Sequence, residues 1–309
     1  MRIFIELPTW LGDTVMATPA IENLLNYYNK SEITIVGSNV SIELLKSHPR
    51  IISAIVLEKN YMSLYKLSKD LGNFDNFFSF RSSFRTFIFK ILISSKNKYI
   101  YKNRKLQDFH QVEKYNNFIN RSLNLTCLAG KLNLYSSFQL PVNKLRPVVG
   151  VNPGASYGSS KRWYPEKFAE VASKLANNFD IIIFGGPDEI NIASDIEASL
   201  VKNGILNYQN LAGKTSIQDL IAYISNLDIF ITGDSGPMHI AASFQIPTVS
   251  IFGPTKDGET SQWLNSSSII IKKKLECQPC MKRRCPLNHH NCMKLIKAKE
   301  VIDAVKLLS

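Results

Sequence analysis

The chain has 309 residues, of which 45% are hydrophobic and 20% charged, and its formal net charge is +12. This length exceeds what one hydrophobic core usually organises, so two domains of about 150 residues are expected. The composition excludes a disordered chain, and a membrane-spanning segment is excluded because no window reaches about 18 apolar residues. No secretory signal pattern opens the sequence, which predicts a cytoplasmic location.

The first half predicts short strands that alternate with amphipathic helices. Buried strands are expected at RIFIEL, EITIVGS, AIVLE and NFDNFFSF, and helices at PAIENLLNYY, SIELLKSH and YMSLYKLSKDL. Strands that alternate with helices are typical of a parallel sheet covered on both faces.

An aspartate, Asp13, follows the first strand in PTWLGD, residues 8–13. An acid here is satisfied simply as the N-cap of a helix, whose dipole favours negative charge. A catalytic carboxylate is the alternative interpretation, and the local sequence leaves both open.

Positive charge is concentrated in residues 1–150, which carry a net charge of +10, against +2 for residues 151–309. Residues 81–105, which include Arg81 and Arg85, contain eight basic residues and no acid. Because Phe, Ile and Tyr are interleaved with these charges, the stretch indicates a surface for phosphorylated lipid or nucleic acid. A solvated helix face is the other interpretation.

The strand–helix pattern restarts at RPVVGVNPG, and Pro141 and Pro147 mark a linker before it. We therefore expect domains at residues 1–145 and 146–309, both Rossmann-like. Strands are predicted at DIIIFGG, YQNLAG, DIFITG and TVSIFG, and helices at PEKFAEVASKLANN, EINIASDIEASLVKN, SIQDLIAYISN, from Gly236, and at KAKEVIDAVKLL.

Ligands of an open parallel sheet bind beyond the carboxyl ends of its strands. After DIFITG, Ser235 and Gly236 begin a helix whose free N–H groups favour an anion such as pyrophosphate. Asp234 would repel that anion, which indicates that it contacts sugar hydroxyls. His239 is either a ligand contact or a satisfied structural histidine.

Two further loops carry candidate residues. Lys161 follows the Gly- and Ser-rich loop of NPGASYGSSKRW and is either a counter-charge for a diphosphate leaving group or an ordinary surface lysine. Asp188 and Glu189 follow DIIIFGG, where an acid either holds ribose hydroxyls or caps a helix. We rank Glu189 above Asp188.

A cysteine-rich stretch, ECQPCMKRRCPLNHHNCM, contains Cys277, Cys280, Cys285 and Cys292. Four thiols at this spacing indicate a structural zinc site or, less readily, an iron–sulfur cluster, and reduced thiols in a packed loop are the alternative. A reducing compartment disfavours disulfides. Cys127 is expected in the core.

No complete dinucleotide fingerprint, Walker loop, nucleophile elbow or H-E-x-x-H occurs, which weakens dehydrogenase, ATPase, hydrolase and metalloprotease interpretations. By contrast, PTWLGD, NPGASYGSSKRW, GDSGPMHIAA and FGPT occur in this order over nearly the whole chain. Through these motifs the chain resembles the bacterial ADP-heptose:lipopolysaccharide heptosyltransferases of glycosyltransferase family 9, and most of all the type II enzymes.

The resemblance implies an α/β fold of GT-B type, with two Rossmann-like domains facing a central cleft. It implies an enzyme that transfers heptose from ADP-heptose with inversion and without a cofactor or an obligatory divalent metal. Asp13 would be the general base and Lys161 would stabilise departing ADP. The other donor-binding residues that it implies are Glu189, Asp234, Ser235, Gly236 and His239.

The acceptor implied by the resemblance is the inner core of lipopolysaccharide, Kdo and heptose on lipid A, bound by the first domain. Its carboxylates and phosphates suit Arg81 and Arg85, and transfer would occur at the inner face of the inner membrane, with peripheral contact to anionic lipid. The type II step adds the second heptose to Hep-Kdo2-lipid A; a type I or III step, or another nucleotide sugar, is the alternative.

A basic nucleic-acid-binding protein with a zinc module is the alternative from a different class. The basic stretch is some 170 residues from the cysteines, and no RNP, KH or C2H2 pattern occurs. We therefore expect no nucleic-acid partner.

Overall fold

The computed structural model describes residues 1–58, 60–102, 109–136 and 145–309. Arg104 and Lys105 of the basic stretch lie outside these ranges, as does most of the predicted linker. The chain divides into two compact units, Met1–Ser137 and Phe138–Ser309, which are called unit 1 and unit 2 below.

Unit 1 contains a parallel sheet of five strands in the order β3-β2-β1-β4-β5. The strands are β1 (Arg2–Glu6), β2 (Glu32–Gly37), β3 (Ile51–Val56), β4 (Phe74–Ser79) and β5 (Ser95–Ile100). The helices are α1 (Leu11–Tyr27), α2 (Asn39–Leu45), α3 (Tyr61–Asp70), α4 (Phe84–Leu92) and α5 (Gln111–Leu123). This α/β architecture confirms the fold class predicted for the first half.

Helices α3 and α4 pack together over one side of this sheet. Leu64 of α3 and Phe89 of α4 belong to a buried cluster with Phe4 and Phe77 of the strands. The rings of Phe4 and Phe89 meet edge to face, with centroids 5.7 Å apart. The inward faces of both helices therefore pack against the sheet.

Helix α1 begins eight residues before the predicted helix PAIENLLNYY and runs through Pro19. Proline has no N–H to bond the carbonyl four residues earlier, so a helix normally breaks or kinks there. Here the hydroxyl of Thr18 donates to the Val15 carbonyl at 2.7 Å and takes up that acceptor. The helix predicted at PAIENLLNYY is therefore longer at its N-terminus than that stretch, and it begins within PTWLGD, where Asp13 was expected at a helix start.

Further elements of unit 1 were also absent from the sequence prediction or displaced in it. Strand β3 starts three residues before AIVLE, and α5 was not predicted. The basic stretch forms α4 and then β5, rather than one helix face. Strand β5 escaped detection because its SKNKYI sequence is polar, as befits the edge of the sheet.

Unit 2 contains a parallel sheet of six strands in the order β11-β10-β9-β6-β7-β8. The strands are β6 (Val148–Asn152), β7 (Asp180–Ile183), β8 (Tyr208–Asn210), β9 (Ile229–Gly233), β10 (Thr248–Phe252) and β11 (Ser268–Lys272). The helices are α6 (Pro165–Leu175), α7 (Ile190–Lys202), α8 (Ile217–Ser225), α9 (Gly236–Ser243), α10 (Asp257–Thr260), α11 (Asn291–Lys294) and α12 (Ala298–Leu308). All the strands and helices predicted for this half are confirmed; β11, α10 and α11 are additional.

Both sheets have the strand order of a Rossmann fold, with a reversal point between β1 and β4 in unit 1 and between β6 and β9 in unit 2. At such a point neighbouring loops diverge to opposite faces of the sheet and leave a crevice at the carboxyl ends of the strands. Asp13 and Arg81 follow β1 and β4, whereas Lys161 and Asp234 follow β6 and β9. The sequence candidates therefore fall at the two reversal points.

Within the described parts of the chain, no helix has the length and apolar character needed to cross a membrane.

Candidate active site

The reversal point of unit 2 brings together a lysine and an aspartate from two loops. Lys161 Nζ lies 2.6 Å from Asp234 Oδ2, and their side chains are only 12% and 5% exposed. Thr255, from the FGPT motif after β10, donates its hydroxyl to the same carboxylate oxygen at 2.6 Å. The predicted lysine is therefore a fixed, shielded side chain, which contradicts the interpretation of it as an ordinary surface lysine.

The N-terminus of α9 lies directly after this aspartate. Ser235 is the N-cap residue, but its hydroxyl caps no helical N–H. It instead contacts the hydroxyl of Thr232 at 3.0 Å and accepts from the side-chain amide of Asn152 at 3.2 Å. The first N–H groups of α9, starting at Gly236, carry the positive end of the helix dipole and are suited to an oxyanion.

Glu189 lies after β7 and is buried, whereas Asp188 beside it is exposed. The Glu189 carboxylate accepts a hydrogen bond from the Gly186 N–H at 2.8 Å, which caps the short 3-10 helix Pro187–Glu189. It also packs against Gly154 of the loop after β6, where an added Cβ would lie 2.0 Å from the carboxyl carbon. The side chain therefore approaches the loop that precedes Lys161, and the exposed Asp188 has no comparable contact in the described residues.

His239 lies on the first turn of α9 and is 3% exposed. It therefore lies in the same turn of α9 as Gly236. Both interpretations given above, a ligand contact and a structural histidine, are consistent with this burial.

Asp13 occupies the third position of α1, and the N-cap residue is Trp10. The interpretation of Asp13 as an N-cap is therefore wrong. The start of the helix is held instead by Thr14, whose hydroxyl is 3.0 Å from the Trp10 carbonyl oxygen and 3.2 Å from that of Pro8. Asp13 accepts a hydrogen bond from the hydroxyl of Tyr115 at 3.3 Å.

Two tyrosines, Tyr101 and Tyr115, lie near the Asp13 carboxylate. The Tyr101 and Tyr115 rings lie 5.0 Å apart, and Gln111 donates to the Tyr101 hydroxyl at 3.3 Å. Burial, followed by the negative charge of Asp13, holds the pKa of Tyr115 well above its ordinary value. Tyr115 thus stays protonated at neutral pH and remains a donor to Asp13.

The two arginines predicted to bind the acceptor have partners within unit 1. Arg81 lies 3.5 Å from the carboxylate of Glu6, which is fully buried at the end of β1. Glu6 also accepts from the hydroxyl of Ser79 at 2.6 Å. Arg85 donates to the carbonyl oxygen of Glu58. Arg81 is thus held at the carboxyl end of β4 by a buried acid that the sequence analysis did not single out.

The sequence analysis missed four residues that organise these sites: Glu6, Tyr115, Asn152 and Thr255. Asn152 and Thr255 lie inside quoted motifs, so their motif membership was an available signal. Glu6 could have been identified less easily, because its only distinguishing feature is that it is the one acid in an apolar strand. Tyr115 gave no signal, because its partner Asp13 is 102 positions away.

The cysteine-rich segment, residues 277–292, lies in unit 2 and contributes Cys277, Cys280, Cys285 and Cys292 to the lining of a cavity of about 20 Å³. All five cysteines of the chain are free. Among the described residues, no group of three or more His, Cys, Asp or Glu side chains is placed to hold a metal ion. Burial, and then the neighbouring thiols, raises the pKa of Cys292 to about 11.

This arrangement favours packed, reduced thiols and does not fit the predicted zinc site. Cys127 departs from its prediction as well. It is exposed rather than in the core, because the segment after α5 is tied down by its backbone: the Cys127 carbonyl accepts from Asn116 at 2.7 Å and Asn120 at 2.8 Å.

Comparison with known proteins decides the family. The model of glycosyltransferase family 9 (heptosyltransferase) matches residues 92–291. Lipooligosaccharide heptosyltransferase 2 of Campylobacter jejuni subsp. jejuni serotype O:2 is 41% identical over 317 aligned residues, which cover 100% of this chain and 98% of the relative. The chain belongs to glycosyltransferase family 9. It is a heptosyltransferase of that family, as its motifs predicted.

Other similar proteins agree with this assignment. Lipooligosaccharide heptosyltransferase 2 of Haemophilus ducreyi is 28% identical, with 88% of each chain covered. Among solved structures, Escherichia coli ADP-heptose lps heptosyltransferase II has a TM-score of 0.84 at 21% identity, covering 100% of this chain and 98% of that one. The fold is therefore GT-B, with two Rossmann-like domains.

Proposed function

We propose that this family 9 enzyme transfers heptose from ADP-heptose to the inner core of lipopolysaccharide or lipooligosaccharide, adding the second heptose to Hep-Kdo2-lipid A. The observation that carries the proposal is the 41% identity, over the whole chain, to a lipooligosaccharide heptosyltransferase 2. The order of motifs from PTWLGD to FGPT supports the same step.

In the proposed reaction an acceptor hydroxyl attacks the anomeric carbon of heptose from the face opposite ADP. The bond from that carbon to the β-phosphate oxygen breaks, and the configuration is inverted. Asp13 takes the hydroxyl proton as the new bond forms. The hydrogen bond that Asp13 accepts from Tyr115 orients its carboxylate at the start of α1.

The departing ADP gains negative charge, which Lys161 and the N–H groups from Gly236 onward would stabilise. Asp234 lies close enough to Lys161 to offset much of its charge in the absence of donor, and Thr255 fixes the carboxylate. With Lys161 engaged by the diphosphate, Asp234 is available to accept from heptose hydroxyls. No divalent metal is required in this scheme, because the lysine and helix dipole supply the positive charge.

The remaining donor and acceptor roles rest on burial and position. Glu189, rather than Asp188, would hold the ribose hydroxyls, since its buried carboxylate packs against Gly154 of the donor loop. His239 would contact the donor from the first turn of α9. Arg81, backed by Glu6, and Arg85 would bind the carboxylates and phosphates of the acceptor.

We also propose that unit 1 docks on the anionic inner face of the inner membrane through α4. Phe84, Phe87 and Ile91 are 73%, 55% and 65% exposed, and their spacing places them within one narrow stripe of the helix. Residues 81–102 contain six basic residues and no acid. An apolar stripe flanked by basic residues is typical of a helix that lies in a membrane interface.

The function is tested by assaying transfer from ADP-heptose to Hep-Kdo2-lipid A and, separately, to Kdo2-lipid A. We expect wild type to extend only the heptosylated acceptor. Asp13→Asn should lower kcat at least about a hundredfold, because a neutral amide takes no proton, while ADP affinity is unchanged. Extension of Kdo2-lipid A alone would assign the first transfer step instead, and near-normal turnover of Asp13→Asn would remove Asp13 as the base.

A further inference from the structure

The cysteine-rich segment packs along the lysine loop, residues 153–162. Tyr157 donates its hydroxyl to the Met281 carbonyl at 2.8 Å. Ser160 donates its backbone N–H to the Arg283 carbonyl at 3.2 Å and its hydroxyl to the Lys282 carbonyl at 2.5 Å. Three consecutive carbonyls of one segment therefore receive donors from the loop that carries Lys161.

The contact is too close for most side chains. A Cβ on Gly158 would lie 2.3 Å from the Arg283 carbonyl oxygen, so the loop needs glycine at this position. The guanidinium carbon of Arg283 lies 5.6 Å from the centre of the Tyr157 ring, and Lys161 Nζ lies 4.7 Å from the same centre. One aromatic ring thus connects the cysteine-rich segment to the ammonium group of Lys161.

His290 adds a side-chain link on both sides of Lys161. Its Nε2 lies 2.9 Å from the Ser160 carbonyl, which can only accept, so this nitrogen carries the hydrogen. Its Nδ1 lies 3.2 Å from the Tyr164 hydroxyl and accepts from it in the neutral ring. The residue before Lys161 and a residue shortly after it are therefore tied to one imidazole.

We propose that the cysteine-rich segment is a clamp for the lysine loop and that His290 is its positioning residue, setting Lys161 for the donor diphosphate. The proposal rests on the proposed role of Lys161. The cysteines then have a packing role: they line the small cavity beside His290 and fill the space behind the clamp. A metal would be unnecessary for that role.

The experiment compares His290→Ala with His289→Ala in the full-length protein. His289 is the matched control, because it is the neighbouring histidine, equally half-buried, and its ring bonds only the Asn291 N–H among the contacts described. We expect His290→Ala to lower kcat for heptose transfer about tenfold, since misplacing a charge-stabilising group by a fraction of an ångström is costly. His289→Ala should stay within about twofold of wild type.

A merely structural role is separated from positioning by combining the variants with Lys161→Ala. If His290 acts through Lys161, adding His290→Ala to Lys161→Ala should change kcat by less than about twofold. His290→Gln retains an N–H donor at the position of Nε2 and should recover activity to within about threefold of wild type. A full additive loss in the double variant would overturn the proposal.

Amide hydrogen exchange tests, without any catalytic assay, whether His290 holds the lysine loop in place. The Ser160 amide and its neighbours through Arg162 should exchange faster in His290→Ala than in His289→Ala without any substrate present. Equal exchange in the two variants would overturn the clamp, even if wild type transferred no heptose and the proposed function itself failed. Activity lost to a chelator and restored by zinc would assign the segment to metal binding and would also overturn it.

Discussion

At the residue scale, the carboxylates of Asp13 and Asp234 have different environments. Asp13 is half-buried and accepts a hydrogen bond from the Tyr115 hydroxyl, so it remains partly exposed to solvent. Asp234 is almost fully buried, and its charge is balanced by Lys161. In our proposal Asp13 exchanges a proton with the acceptor and Asp234 orients sugar hydroxyls, and an accessible and a fixed carboxylate, respectively, suit these two roles.

Tyr115→Phe removes the donor to Asp13 and leaves the ring packing intact. We expect kcat to fall about tenfold with little change in KM, because a hydrogen bond to a charged group is lost. Steady-state kinetics with saturating acceptor measures this. Tyr101→Phe is the matched control, since its hydroxyl bonds Gln111, and equal losses in both variants would argue against positioning by Tyr115.

Glu6 makes the stability of unit 1 depend on pH. Burial raises its pKa above the ordinary 4.5, and the bond from Ser79 and the charge of Arg81 oppose this without reversing it. The folded state therefore holds the proton more tightly than the unfolded state. The stabilisation that Glu6 contributes to the folded state is fully present below the pKa of Glu6 in the unfolded chain. It is lost as the pH rises through the pKa of Glu6 in the folded protein.

Glu6→Gln eliminates this titration while nearly preserving the side-chain shape. We therefore expect the free energy of unfolding of the variant, relative to wild type, to increase as the pH rises above the ordinary Glu pKa of 4.5 and to level off above the folded pKa of Glu6. Urea unfolding followed by circular dichroism at several pH values measures the difference. A difference that is constant with pH would show that the pKa of Glu6 is not raised in the folded protein.

At the scale of elements, α4 carries large apolar side chains both on its buried face and on its exposed face. Phe89 lies in the core of unit 1, whereas Phe84, Phe87 and Ile91 face outward. Ser83 caps the helix by accepting from the Thr86 N–H, so the short element is well defined. Nothing in the described part of unit 1 covers the apolar stripe, which is unusual for three large side chains on one helix.

Replacing Phe84, Phe87 and Ile91 by serine should reduce binding to anionic liposomes at least about tenfold, because each large side chain contributes when it leaves water. Flotation with phosphatidylglycerol vesicles at low salt measures binding. The control replaces Leu128, Leu206 and Leu307, which are even more exposed but scattered, by serine. If both triple variants float as wild type does, α4 is not the docking helix.

At the scale of the whole molecule, the chain consists of two Rossmann-like units with one candidate site at each reversal point. Repeating the fold separates two binding tasks, because each sheet supplies its own crevice at the carboxyl ends of its strands. In our proposal unit 1 holds the acceptor and the base, and unit 2 holds the donor. Transfer then requires both units.

Residues 146–309 produced alone should therefore bind ADP within about threefold of the affinity of the full chain, because an autonomous domain keeps its own core and site. Isothermal titration with ADP, UDP and GDP measures this and the preference for adenine. Neither half should transfer heptose by itself. Loss of ADP binding in a folded fragment would mean that unit 1 also contributes to the donor site.

The sequence by itself determined the α/β class, the family, and the loops that hold Asp13, Lys161, Glu189 and Asp234. These were readable because strand periodicity, glycine-rich turns and helix starts are local, and because the family motifs are contiguous. The second half was read more accurately than the first, since its strands are nearly continuous apolar runs and its loops carry strong turn residues.

Only the tertiary structure decided which partners these residues have. The Asp13–Tyr115, Glu6–Arg81 and Lys161–Asp234 pairs join positions more than seventy apart in the chain, and no local pattern encodes such distances. The tertiary structure likewise shows α1 continuing through Pro19, where the Thr18 hydroxyl donates to the Val15 carbonyl. The cysteine spacing suggested a metal, but burial and thiol placement, which the fold sets, favour a packed segment behind the lysine loop.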